Sequence, residues 1–310
     1  MRVLISRLSA LGDVVCTLPV AVALKRGLSD CHISWLVDPR FSAVARCCSA
    51  VDEVVVWRPS VFHSPNLAGP FDAALDMQGL IKSALPVALS RAPTKLGYHW
   101  QREGAGLVSR RVLPDPSSFH IVDQYVDVAR ALGAETLETR FELVPSEEAV
   151  LSVRLKLKQH GVSGRFVALN PGAGWSTKRW PAAHFAALAE ALAGDGMQCV
   201  LLGGSGAADR AAALEVIEAC REAPASLVGE TSIAELIALV RLCSAHVGGD
   251  TGSSHIAAAV GVPAIGLYSI TRPERSCPYG QRDRCHYDPS GLANIGPGPV
   301  IETVREALAG

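Results

Sequence analysis

This 310-residue sequence is marked first by what it lacks. Its nine cysteines form no Cys-x-x-Cys pair, and their odd, scattered arrangement indicates reduced thiols rather than a disulfide framework. Cys277, Cys285 and His286 come nearest to a ligand cluster, at a spacing that fits no common zinc pattern. The charge is nearly balanced, at −1, so bulk electrostatics recruit neither nucleic acid nor membrane and any charge effect must be local. No apolar run is long enough to span a bilayer: Val14–Leu24 is too short, is interrupted by Pro19, and reads as a buried first helix rather than a signal peptide. No G-x-G-x-x-G follows the first strand, and neither a Walker P-loop nor an Asp-x-Asp motif is present. These absences exclude the usual dinucleotide, P-loop and metal-diphosphate sites.

What is present is a well-filled globular composition, 49% hydrophobic and 19% charged, long enough for two domains. Short apolar strands at Val3–Ser6, Ile33–Val37, Val54–Trp57 and Ala73–Asp76 alternate with helical patterns. The pattern restarts at Arg165–Leu169, Gln198–Leu202, Ala245–Gly248 and Val262–Tyr268. Such alternation predicts α/β architecture with parallel sheets, whose ligands gather at the carboxyl ends of the strands. Pro145–Gly164 separates the halves, and His160–Gly164 reads as a flexible exit and hinge.

The strand ends carry the polar chemistry. Val247-Gly-Gly-Asp-Thr-Gly-Ser-Ser-His255 reads as a buried strand, a glycine turn and a helix start, a form that attracts anions. Asp250 or Thr251 as a plain N-cap is the alternative. Asn170-Pro-Gly-Ala-Gly with Lys178-Arg-Trp-Pro181 is a second glycine turn supplied with positive charge, suited to a diphosphate. Gly172, Gly203, Gly229 and Gly249 mark four such turns, expected to converge on one crevice. In the first half, Asp13 lies behind Gly12 at the start of the first helix, either as its cap or as a general base. A carboxylate engaged as a cap is the poorer base, so the two roles pull against each other. From Met77 to Pro114 the bases are Lys82, Arg91, Lys95, Arg102, Arg110 and Arg111 against the single acid Glu103, either a solvated face or a site for an anionic acceptor.

Four motifs, in this order, carry a family resemblance: Ser9-Ala-Leu-Gly-Asp-Val14, Asp76-Met-Gln-Gly-Leu-Ile-Lys-Ser83, Pro171-Gly-Ala with Lys178-Arg-Trp-Pro181, and Gly249-Asp-Thr-Gly-Ser-Ser-His255. Together they resemble the ADP-heptose:lipopolysaccharide heptosyltransferases of glycosyltransferase family 9, most of all the heptosyltransferase I group. The resemblance implies a GT-B fold of two Rossmann-like domains facing each other across a cleft. Residues 1–150 would bind acceptor and 151–298 donor, and a last helix near 299–309 could pack back on the first domain. It also implies inverting, metal-independent transfer of heptose from ADP-L-glycero-β-D-manno-heptose, a co-substrate rather than a cofactor, to the Kdo of a lipid A acceptor. Asp13 matches the family's catalytic base. Gly172, Ala173, Gly174, Lys178, Thr231, Asp250, Thr251, Gly252 and His255 match its donor site. Ser9, Gln78, Lys82, Arg102 and His120 fall in its acceptor segments. The implied location is cytoplasmic, peripheral to the inner membrane. The chain departs from the family in having Ala207, Ala208 and Asp209 near the usual ribose-binding glutamate, a Trp57–His63 loop that is shorter than the family's arginine-rich one and holds only Arg58, and Ile270-Thr-Arg-Pro273 after the last strand. A family member with another donor or acceptor, including a heptosyltransferase II-like enzyme or a protein O-heptosyltransferase, and a non-catalytic nucleotide-sugar-binding protein stand as alternatives.

Overall fold

A computed structural model describes residues 1–60, 63–135, 138–172 and 179–309. It divides into two compact units, Met1–Val144 and Pro145–Gly310. The first contains β1 (Arg2–Ser6), α1 (Leu11–Gly27), β2 (His32–Val37), α2 (Ser42–Arg46), β3 (Glu53–Val56), β4 (Ala73–Asp76), α3 (Ile81–Leu89), β5 (Thr94–Tyr98), β6 (Arg110–Val112) and α4 (Ile121–Arg130). Its strands form one parallel sheet in the order β3-β2-β1-β4-β5-β6. Every residue of α1 from Val14 to Leu24 is buried, with α4 packed beside it, so the apolar run is a core helix. Among the described residues no helix is long and apolar enough to cross a membrane.

The second unit contains α5 (Glu147–Gln159), β7 (Phe166–Asn170), α6 (Ala182–Gly194), β8 (Gln198–Leu201), α7 (Ala207–Ala219), β9 (Ala225–Ser226), α8 (Ile233–Leu242), β10 (Ala245–Gly249), α9 (Gly252–Ala259), β11 (Ala264–Tyr268), α10 (Pro273–Ser276), β12 (Cys285–Tyr287) and α11 (Pro297–Ala309). Its sheet runs β12-β11-β10-β7-β8-β9, again all parallel. Both sheets are doubly wound, with strands added on either side of the unit's own first strand. In such sheets the connections leave in opposite directions on the two sides of that strand, opening a crevice at its carboxyl end. The switch points therefore lie between β1 and β4, and between β7 and β10.

The His160–Gly164 exit makes contacts within the second unit: His160 Nε2 lies 3.0 Å from Glu230 Oε2, while Gln198 accepts from Ser163 N and donates to the Gly161 carbonyl. The last helix, α11, is anchored within its own unit. Val300 and Val304 are buried in the second unit's core with Trp180, Phe185, Val247 and Ile265, and Arg305 pairs with Asp195 at 2.8 Å.

Candidate active site

At the first switch point the organising side chain is Arg7, which directly follows β1. The residue is 4% exposed. Its Nη1 donates to the Met77 carbonyl beyond β4, and its guanidinium lies over the Tyr125 ring of α4, 5.2 Å from the centroid. The remaining nitrogen, Nη2, is 2.8 Å from Asp13 Oδ1. The other Asp13 oxygen accepts from the Ala10 N–H at 3.3 Å. Both readings of Asp13 are thus compatible: it closes the start of α1, yet its side chain remains 51% exposed. A carboxylate held from one side and open on the other can accept a proton.

Asp76, at the end of β4, supports this arrangement from beneath. It is fully buried, and its Oδ1 accepts from the N–H groups of Gln78 and Gly79 at 3.1 and 2.9 Å. Burial pushes its carboxyl above the ordinary range, opposed by the Gly79 N–H and the charge of Arg7. Gly79 is obligatory: its φ is +70°, and a Cβ there would stand 2.3 Å from the Trp100 carbonyl.

Several expected acceptor residues come together here. Gln78 Oε1 accepts from Leu8 N at 3.0 Å, and its Nε2 donates to Ser9 Oγ at 3.3 Å. Lys82 Nζ reaches the same hydroxyl at 3.4 Å. Arg102 joins through its backbone, donating to the Gly79 carbonyl at 2.7 Å. His120 occupies a different position: it is buried, and its Nδ1 caps α4 by accepting from Val122 N at 3.1 Å. Arg7 and Tyr125 are not among the residues assigned to the site from sequence; the available signal is an arginine directly after a buried strand, five residues before Gly12-Asp13.

At the second switch point Asn170 ends β7 and ties its turn to the one after β10. Its Nδ2 donates to Ser253 Oγ at 2.7 Å and Thr251 Oγ1 at 3.2 Å, while its Oδ1 accepts from Gly172 N at 3.0 Å. His246 Nε2 lies 3.0 Å from the same Ser253 hydroxyl, and Ser254 donates to the Gly249 carbonyl at 2.7 Å. Burial holds His246 neutral, with a pKa lowered to about 3. Thr251 takes the N-cap position of α9 but makes no side-chain cap; its hydroxyl faces Asn170, Ser253 and Ser254 instead. The start of α9 is therefore shaped by neighbouring turns rather than by its own cap, and its first N–H groups and dipole favour an anion. His255 Nε2 and Asp250 Oδ1 flank this point, 3.7 Å apart.

Neighbouring turns extend the site along the sheet. Asp209, in the first turn of α7, accepts from Gly204 N at 2.8 Å, and a Cβ at Gly172 would meet its Oδ1 at 2.5 Å. Gly229 N donates to the Gly203 carbonyl at 3.1 Å, and Thr231 follows two residues later, before α8. The turns at Gly249, Gly172, Gly203 and Gly229 thus follow the strand order β10-β7-β8-β9 along one sheet edge. Gly252 is the first residue of α9. Ala173, Gly174 and Lys178 lie outside the described residues. Among the described residues no group of three His, Cys, Asp or Glu side chains could hold a metal ion, and His286 contacts Thr303 at 3.0 Å.

The sequence matches glycosyltransferase family 9 (heptosyltransferase) over residues 66–291. Lipopolysaccharide heptosyltransferase 1 of Pseudomonas aeruginosa is 30% identical over 303 residues, which cover 91% of this chain and 82% of that protein. A family 9 glycosyltransferase structure from Veillonella parvula superposes with a TM-score of 0.87 at 21% identity, covering 99% and 97% of the two chains. E. coli heptosyltransferase WaaC, solved with ADP, superposes at 0.78 with 24% identity, covering 99% and 100%. The fold is that of the GT-B heptosyltransferases. With the family match running through both units, the chain belongs to glycosyltransferase family 9, the heptosyltransferases, and is a glycosyltransferase.

Proposed function

We propose that this protein transfers heptose from ADP-L-glycero-β-D-manno-heptose to the Kdo of a lipid A-linked inner core, at the cytoplasmic face of the inner membrane. The observation that carries this reading is the half-exposed Asp13 carboxylate, anchored by a buried arginine at the first switch point. The relative named heptosyltransferase 1 and the neighbour solved with ADP support the choice of acceptor and nucleotide.

In the proposed reaction Asp13 takes the proton of the acceptor hydroxyl as its oxygen bonds to the anomeric carbon. The bond from that carbon to the β-phosphate oxygen breaks, and ADP leaves with the electron pair. A single displacement of this kind inverts the anomeric configuration. Developing charge on the ADP is met by the N–H groups at the start of α9, the Thr251 and Ser253 hydroxyls and Lys178, so the reaction needs no divalent ion. Asp250, Gly252, His255, Gly172, Ala173 and Gly174 shape the diphosphate pocket, while Thr231 contacts the adenosine. Ser9, Gln78, Lys82 and Arg102 serve the acceptor, and His120 does so through the start of α4 that it caps.

Incubation with ADP-heptose and Kdo-lipid A should release ADP and add one heptose to the acceptor, read by mass. Transfer only to an already heptosylated core would overturn the acceptor assignment. Donor binding without turnover on any acceptor would overturn the catalytic one.

A further inference from the structure

The outer face of α3 bears no charge where a surface helix ordinarily does. Its exposed residues are Ile81, Leu85, Ala88 and Leu89, and the leucines and isoleucine recur at intervals of four, so they form one stripe. The segment after β5 folds against the start of this helix. Arg102 N donates to the Gly79 carbonyl, and Ile81 N donates to Glu103 Oε2 at 3.2 Å. The turn at Ala105–Leu107 packs on α3 and leaves Leu107 93% exposed. A single exposed leucine needs no explanation, but a stripe with a further leucine beside it does.

The rim of this face is basic. Arg91 follows the end of α3, and Arg111 lies on β6, the edge strand next to the Leu107 turn; both are exposed, and the register from Leu4 through Ala74 and Lys95 puts Arg111 on the α3 side of the sheet and Arg110 on the other. Among the described residues neither of the two has a carboxylate partner. The sole acid between Met77 and Pro114 is Glu103, engaged at the start of α3.

We propose that the α3 face, with Ile81, Leu85, Leu89 and Leu107 in the headgroup region and Arg91 and Arg111 on lipid phosphates, seats this protein on an anionic bilayer. An apolar stripe rimmed by one sign of charge complements such a surface on both counts. A second copy of the chain fits it poorly, because a twofold contact through this patch sets like charges against each other. The inference rests on the lipid-borne acceptor proposed above and names the surface by which the enzyme would reach it.

The test is flotation of the full chain with phosphatidylcholine vesicles, with and without phosphatidylglycerol. Binding should require the anionic lipid, weaken with salt, and fall about tenfold or more in Leu85→Ser/Leu89→Ser and in Arg91→Glu/Arg111→Glu. Heptosyl transfer to a delipidated acceptor should be unchanged in both variants, which also shows that they fold. Absence of wild-type binding to anionic vesicles, or equal binding by the variants, would overturn the proposal. So would a wild-type dimer that Leu85→Ser dissociates, which would assign the face to a second copy. Vesicle binding without any transfer would leave this surface standing and remove the proposed reaction.

Discussion

Arg7 Nη2 stands 2.8 Å from Asp13 Oδ1, with the arginine side chain 5% exposed and the aspartate 51% exposed. The buried partner is fixed by Met77 and Tyr125, so the orientation of the exposed one is inherited from the core of the first unit. Arg7→Ala should lower kcat about 100-fold through misplacement of the carboxylate while leaving donor KM nearly unchanged. Arg7→Lys keeps the charge but cannot span both partners in the same fork, and should fall between the two. Steady-state kinetics at saturating donor check this; an unchanged kcat in Arg7→Ala would contradict it.

The Asn170 amide joins the turns after β7 and β10, with one hydrogen bond of 2.7 Å to Ser253. Removing one partner from a buried network costs roughly 1–3 kcal/mol. Asn170→Ala should therefore weaken ADP binding about tenfold, as measured by calorimetry, with a smaller loss for Ser253→Ala. Affinity equal to wild type would show that the turn holds its shape without this bond.

His246 gives the second unit a pH dependence. Burial lowers its folded pKa to about 3, whereas an unfolded histidine titrates near 6.5. Between those values the unfolded chain binds the extra proton, so stability falls as pH falls, by about 1.4 kcal/mol per pH unit. Replacing His246 by glutamine should reduce the loss of stability between pH 7 and pH 5 by about 2 kcal/mol. Denaturant unfolding at the two pH values measures this; an undiminished loss would place the proton elsewhere.

The alternation of apolar strands and helices was plain in the sequence because β1, β4, β7 and β10 are fully or mostly buried and therefore apolar along most of their length. β5 and β6 escaped notice because Thr94-Lys-Leu-Gly-Tyr98 and Arg110-Arg-Val112 lie toward the sheet edge and carry polar residues. Helix α4 was hidden beside the same basic region. The Gly-Asp and Asp-Thr-Gly turns announced themselves through residue types that suit anions and helix starts. Arg7 did not, because its partners Met77 and Tyr125 are separated from it by 70 and 118 positions and meet it only through the placement of β4 and α4. The same holds for Asp209, whose approach to Gly172 depends on β7 and β8 being neighbours.

Asp13 as the base for sugar transfer is best tested by comparing Asp13→Asn with wild type in ADP-heptose turnover and in ADP binding. A fall in kcat of about 10²–10⁴-fold is expected, with ADP affinity essentially unchanged. Turnover equal to wild type in the Asn variant would contradict it.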